Sequence, residues 1–258
     1  MNPTLTLLHQ RHSVRAYSDQ PITAEERQQI LAATFRAPTA GNMMLYSIIE
    51  VTDPALKDRL AVTCDNQPFI AKAPLLLLFL ADYQRWFDYY TQCGVQSRSQ
   101  ELNLPYRTPQ AGDLLLACCD ALIAAQTAVI AAESLGIGSC YIGDILEQYE
   151  THRELLNLPP YTLPITLLCF GHPQSSQENS RRSSRFAPEY ILHQNSYRRL
   201  NSQEFEDMYK HQTKSFLAAG PSSSGAQNVG QSNYFRKFVA DFSIEMNRSV
   251  REMLKNWE

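Results

Sequence analysis

Neither sign of charge dominates this 258-residue chain: 23 Lys and Arg stand against 26 Asp and Glu, a formal net charge of −3. A nucleic-acid binder needs a concentrated basic face. Here the charges are interspersed, with short basic clusters such as Arg181-Arg182 and Arg198-Arg199, so no nucleic-acid partner is expected. The six cysteines form no CxxC pair and no regular framework. Cys118-Cys119 sits inside an apolar helical pattern, where the two cannot make an ordinary disulfide with each other. Free, buried cysteines in a reducing cytoplasm are the simplest expectation. Met1-Asn2-Pro3 lacks a charged start, a long apolar stretch and a small-residue cleavage site, and reads as mature protein. The six histidines are scattered without an HxxxH pair, and no GxSxG or P-loop occurs. Cys64 has no evident base, and a lone cysteine is more often structural. No metal set is expected. If the chain is an enzyme, its hard chemistry belongs to a bound cofactor.

One segment imitates a membrane span. Asp113 to Leu135 is strongly apolar and long enough to cross a bilayer. It also carries Asp120, Gln126 and Glu133, and a charge near a bilayer centre is costly. A helix apolar all round suits the centre of a large soluble protein, so a buried central helix and no membrane are expected.

Spacing predicts the remaining elements. Thr4 to Gln10 is a short helix. Thr23-Ala-Glu-Glu26 has capping-box spacing and opens a helix to about Arg36. Ser47 to Val51 and the apolar run Leu75 to Leu80 read as strands, with a helix from Pro54 between them. Residues 83–110, rich in aromatics, Gln, Ser and Pro, read as an excursion with a short helix around Trp86. Asp113 is the expected cap of the central helix and Gly136 its end. Ser139 to Ile142 is a strand, Thr151 to Leu158 a helix, and Leu163 to Phe170 a buried strand. From about Asn201 the composition changes, with a polar helix over Ser202 to Leu217, a connector from Gly220 to Asn228 and a last amphipathic stretch from Tyr234 to Leu254. The mixed order lacks the tight β-α-β spacing of a doubly wound fold. It predicts an α+β class with one central sheet, residues 1–200 forming the core and 201–258 a helical extension.

Three constellations could carry chemistry. Arg11, His12, Ser13 and Arg15 place cations and a hydroxyl within five residues between two helices. Guanidinium forks suit phosphate oxygens, although a solvated basic turn has the same composition. Ala37 to Asn42 is a small-residue loop that either lets backbone approach a ligand or is an ordinary turn. Gly136-Ile-Gly138 through Gly143 resembles a dinucleotide loop, but its glycines follow a helix and enter a strand. A Rossmann fingerprint does the reverse, so that reading is excluded.

Taken together, these motifs resemble the nitroreductase family of FMN enzymes, most closely its flavin reductase and oxygen-insensitive nitroreductase branch. Arg11-His12-Ser13-Val14-Arg15 with Tyr17 is similar to the family's opening RxSxRxF/Y motif, and Ala37 to Asn42 to its APSAxN loop. Asn66-Gln67-Pro68-Phe69, Ala73-Pro74, Asp120, Gln126, Tyr141-Ile142-Gly143, Gly171-His172-Pro173, Arg185 and His193 to Tyr197 follow in the same order. The resemblance covers roughly residues 3 to 200. It implies an antiparallel-sheet α+β fold in an entwined homodimer, with FMN at the subunit interface and the 201–258 extension embracing the mate. It implies hydride transfer from NAD(P)H to a small acceptor such as a nitroaromatic, quinone or free flavin. A non-catalytic or specialised FMN-binding protein on the same fold is the alternative. Arg11, His12, Ser13, Arg15 and Arg185 would hold the FMN phosphate and ribityl end. Thr39 and Asn42 would lie near the ring or ribityl chain, partly from the other subunit. Gln67 would bond near the ring, with Tyr141, Ile142 and Gly143 beside it. Two features depart from the branch. Ser183-Ser184-Arg185 stands where it has Lys-Pro-Arg, with Arg181 or Arg182 as possible substitutes. Ala218 to Gln231 contains no Lys or Arg where the branch has a basic loop for the 2′-phosphate of NADPH, which leaves NADH and NADPH both open.

Overall fold

The computed structural model describes residues 2–174, 184–220 and 224–258. Its first half follows the local signals closely. Helix α1 (Pro3–Gln10) starts with Pro at its first turn, and the Asn2 side chain accepts from Leu5 N at 2.9 Å. Helix α2 (Ala24–Thr34) opens on the expected capping box, with Thr23 and Glu26 each bonding the other's backbone. Strand β1 (Tyr46–Glu50), α3 (Pro54–Thr63) and β2 (Leu75–Asp82) follow. The aromatic excursion holds two short helices, α4 (Gln84–Gln92) and α5 (Val95–Glu101), rather than one. Then come α6 (Ala111–Ser134), β3 (Gly138–Ile142), α7 (Tyr149–Leu155) and β4 (Thr162–Gly171).

The four strands form one antiparallel sheet in the order β1-β2-β4-β3. β2 is buried along its whole length because both faces of the sheet are covered. Leu75, Leu77 and Phe79 pack with α6 and Ile30 of α2, while Leu76, Leu78 and Leu80 pack with Leu60, Ile70, Ile142 and Leu158. This is why an alternating strand is written as a continuous apolar run. Helix α6 meets the sheet through Ala121, Ala124, Ala125, Ala128 and Ala132, small residues that allow close approach.

Three local expectations shift. α6 starts at Ala111, so Asp113 is its third residue and not its cap. The Asp113 carboxylate reaches back to Gln110 N at 2.9 Å and pairs with Arg107. A first-turn carboxylate satisfies free amides and favours the positive end of the helix dipole. α7 begins two residues early, because Gln148 takes a left-handed φ of 47° with its amide held by Glu245 at 3.0 Å. α6 is buried along one side; Leu115, Leu116, Leu122 and Ile123 are exposed on the other.

The chain divides into two compact units, Met1–Ser180 with Glu245–Glu258, and Arg181–Ile244. The expectation had placed the break after residue 200. The second unit holds α8 (Ser202–Ala218) and α9 (Val229–Asn233), with Phe186 edge-on to Tyr209 at 5.1 Å. α10 (Asp241–Leu254) begins there and continues into the first unit. In the first unit Ser249 Oγ accepts from Tyr149 N at 3.1 Å, and Met253 and Trp257 are buried with Leu45 and Leu163.

Candidate functional site

The N-terminal segment becomes an additional partial strand on β3. Ser13 pairs in parallel with Ser139, Val14 N donates to Ser139 O at 2.9 Å, and Tyr17 bridges Pro173. Two glycines allow the approach. A Cβ on Gly138 would lie 2.4 Å from Val14 Cγ2, and one on Gly171 would lie 2.5 Å from Tyr17 Cδ1. Val14 is buried. In extended backbone its neighbours Ser13 and Arg15 project to the opposite side. The Arg15 guanidinium lies over the Phe69 ring, 5.8 Å from its centroid.

The charges support an anion site here. Among the described residues neither Arg11 nor Arg15 takes part in an ion pair. Glu133, at the end of α6, lies close by, and burial raises its carboxyl while Arg11, His12 and Ser139 oppose the shift. Tyr141 is pushed up to about 12 by burial, with Arg11 again opposing. Its hydroxyl donates to Gln126 Oε1 at 3.1 Å.

β3 carries the site from Ser139 to Gly143, about 13 Å at strand rise. At its far end Gly143 faces open space, and Gln67 Nε2 donates to Asp144 Oδ2 at 2.7 Å and to Cys64 O at 2.9 Å. Sequence spacing did not reveal the Asp144 contact, because its partner is 77 residues away.

Thr39 and Asn42 belong to a different cluster. The Thr39 hydroxyl bonds the Asp120 carboxylate, which also accepts from Ala40 N at 3.0 Å and Leu45 N at 3.1 Å. Gly41, Asn42 and Met44 all adopt positive φ. Trp86 Nε1 donates to Met43 O at 2.7 Å, and Arg85 donates to Met44 O. A cleft of about 290 Å³ lies between Asn42, Met43, Met44, Arg85, Trp86 and Tyr89. Among the described residues no hydrogen bond or ion pair joins Thr39 or Asn42 to the Arg11–Arg15 segment, Gln67 or Tyr141–Gly143. Arg85, Trp86 and Asp120 are the residues that shape this loop. Asp120 shows in the sequence as a carboxylate inside an apolar helix and as part of the family resemblance, but neither signal points to the Thr39 loop.

Arg185 is exposed and belongs to the second unit. Arg181, Arg182 and Ser183 lie outside the described residues. No group of three or more His, Cys, Asp or Glu among the described residues could hold a metal ion.

The donor set suits FMN: the guanidinium groups of Arg11 and Arg15, outside any ion pair among the described residues, at one end, an open glycine backbone and an amide at the other, and a largely buried strand between them. Comparison with known proteins agrees with the fold. The nitroreductase family model matches residues 8–172. An "FMN reductase (NADPH)" of Bacillus subtilis is 33% identical over 205 residues, 80% of this chain and 78% of that protein. An "oxygen-insensitive NADPH nitroreductase" of Salmonella typhimurium is 33% identical over 201 residues, 78% of this chain and 77% of that protein. The solved NADPH:FMN oxidoreductase from Vibrio harveyi complexed with NAD+ superposes with a TM-score of 0.76 at 26% identity, covering 98% of both chains. On fold, motif order and these matches, the chain belongs to the nitroreductase family.

Proposed function

We propose that this chain is a cytoplasmic, homodimeric FMN-dependent oxidoreductase. It takes hydride from NADH or NADPH and passes electrons to small oxidised acceptors such as nitroaromatics, quinones or free flavin, by a ping-pong mechanism. The observation that carries this reading is the Arg11–Arg15 segment laid along β3, with Gln67 bonded at the strand's other end. FMN, when bound, supplies the ring that accepts hydride from the nicotinamide and returns it to the acceptor.

The protein's contribution is binding and orientation. Arg11, His12, Ser13 and Arg15 hold the phosphate and ribityl end, since guanidinium forks bond phosphate oxygens in pairs. Arg185 joins them on the strength of the sequence alone. Tyr141, Ile142 and Gly143 line the ring with strand backbone, and Gln67 bonds its edge. Thr39 and Asn42 lie near the ring or ribityl chain, partly from the other subunit, which fits the lack of any hydrogen bond or ion pair joining them to these groups among the described residues of one chain. Trp86 and Tyr89, beside Asn42, offer aromatic surface to a planar acceptor. The part of the extension left to embrace a mate is 201–244, because Glu245–Glu258 packs within its own first unit.

An anaerobic visible spectrum before and after separate additions of NADH and NADPH tests the reading. The expected result is a flavin spectrum, one FMN per chain, that bleaches with at least one donor. A spectrum that stays yellow with both would instead identify a non-catalytic flavin-binding protein. No flavin, even after FMN is added, would overturn the assignment.

A further inference from the structure

Gln67 is held in a way that leaves one atom spare. Both amide protons are used inside the protein, on Cys64 O and Asp144 Oδ2. Exchanging the amide's oxygen and nitrogen would set Oε1 against two acceptors. The side chain is half-buried, and its carbonyl oxygen, which can only accept, is the atom free for a ligand. Oxidised isoalloxazine has a single donor, its imide N–H.

Behind Asp144 lies Glu147, at the end of the same short turn. It is only 5% exposed, and its Oε1 has no hydrogen-bond partner among the described residues. Asp144 faces it from its own turn, Asp65 and Cys64 from the end of α3, and Glu245 from α10. The His152 ring of α7 is committed elsewhere, to Ile145 O at 3.0 Å and Thr63 Oγ1 at 2.8 Å. Arg248 of α10 is committed to Glu245 and Glu150. Carboxyls gathered this closely cannot all ionise, and a proton on Glu147 gives it a hydrogen bond to Asp144.

We propose that Asp144 is a positioning residue for the flavin. It holds the Gln67 amide with Oε1 toward the isoalloxazine edge, and a proton kept on Glu147 holds Asp144 in that task. The inference rests on the FMN reading above. Burial, then the charges of Asp144 and Asp65, push Glu147 up to about 7. Ionisation above that pH sets two like charges side by side and loosens the carboxylate that orients Gln67. Bound flavin excludes water and favours protonated Glu147. Binding therefore takes up a proton, and affinity falls as pH rises through about 7.

The test is FMN titration of the apoprotein by fluorescence quenching between pH 6 and 8, for wild type, Glu147→Gln and Asp144→Asn. FMN's phosphate titrates in all three, so the ratio of variant to wild-type Kd is read. A tenfold change in Kd accompanies a one-unit shift in Glu147. The Glu147→Gln ratio is therefore expected to change by about three- to tenfold across the range. Asp144→Asn is expected to bind more weakly at pH 6 and to lack the wild-type rise. Profiles parallel to wild type in both variants would overturn the proposal while leaving the FMN reading intact. Should Glu147→Gln fail to fold, a parallel profile for Asp144→Asn alone overturns it. Wild type that binds no FMN at any pH overturns the FMN reading, and this proposal with it.

Discussion

The Asp120 carboxylate, buried in the middle of an apolar helix, accepts a hydrogen bond from the hydroxyl of Thr39, 81 residues earlier in the chain. With Ala40 N and Leu45 N on the same carboxylate, it fixes both ends of the loop that carries Asn42. Asp120→Asn puts an NH2 group where only acceptors fit. Hydrogen bonds to charged groups are worth about 1.5–3 kcal/mol each, so a loss of about 3 kcal/mol is expected in urea denaturation. A loss below about 1 kcal/mol would show that the loop holds itself.

Much of this arrangement is legible from local chemistry. Thr23 and Glu26 are three apart and must meet if a helix forms there. Leu75 to Leu80 has nowhere to go but a strand covered on both faces. Arg11, Ser13 and Arg15 stand at alternate positions, which extended backbone turns into one face. What the sequence hides is pairing at a distance. Nothing in Gly143-Asp144 announces Gln67, and nothing before Gln148 announces that Glu245 will stabilise its left-handed backbone. The break between units is hidden for the same reason, since the last helix returns to the first unit through side chains about 100 residues away, such as Ser249 on Tyr149.

Gly138→Ala tests whether the Arg11–Arg15 segment must sit on β3. The new methyl would fall 2.4 Å from Val14 Cγ2 and 2.8 Å from Val14 Cβ, a β-branched side chain with little freedom to turn away. Overpacking of this kind costs about 1–3 kcal/mol. The expected outcome is a lower Tm together with weaker FMN binding, because the proposed phosphate ligands move with Val14. Unchanged FMN affinity would separate that segment from the site.

Arg15→Ala removes one proposed phosphate partner whose guanidinium stands over Phe69. A charge-assisted bond of about 1.5–3 kcal/mol corresponds to a roughly 10- to 100-fold rise in Kd. FMN titration at fixed ionic strength reads it directly. Retention of flavin at unchanged stoichiometry and affinity would remove Arg15 from the phosphate site.

Acid should loosen the C-terminal helix first. Bonds from Arg248 hold the Glu150 and Glu245 carboxyls down to about 2. A carboxyl depressed in the folded state stabilises it fully above its ordinary range near 4.5, and that stabilisation is lost as pH falls toward 2. The Glu150 side chain is 59% exposed and that of Glu245 31%, so screening keeps each contribution at or below about 1 kcal/mol. In Arg248→Met the slope of stability against pH between 4.5 and 2 should be shallower than in wild type. Equal slopes in urea titrations at several pH values would refute the linkage.

The exposed stripe on α6 makes the strongest case for a second copy of the chain. Leu115, Leu116, Cys119, Leu122 and Ile123 recur at helical spacing on the side away from the sheet, and Leu115 is 69% exposed. Burying a leucine is worth about 1.5–3 kcal/mol, so leaving this stripe in water is costly. Asp120, adjacent to Cys119 on the same helix, holds the Thr39–Asn42 loop, whereas the proposed phosphate segment lies toward the helix's other end, where Arg11 and His12 act on Glu133. One two-fold contact would cover the apolar face and bring each loop toward the other chain's site. Sedimentation of the wild type is expected at twice the 29.3 kDa chain mass. Leu115→Glu with Leu122→Glu places charges on residues the isolated chain leaves exposed, so helical content should persist while the protein sediments as a monomer and loses FMN. A double variant that remains dimeric would locate the contact elsewhere; a monomeric variant with unchanged FMN affinity would mean that each chain binds flavin alone.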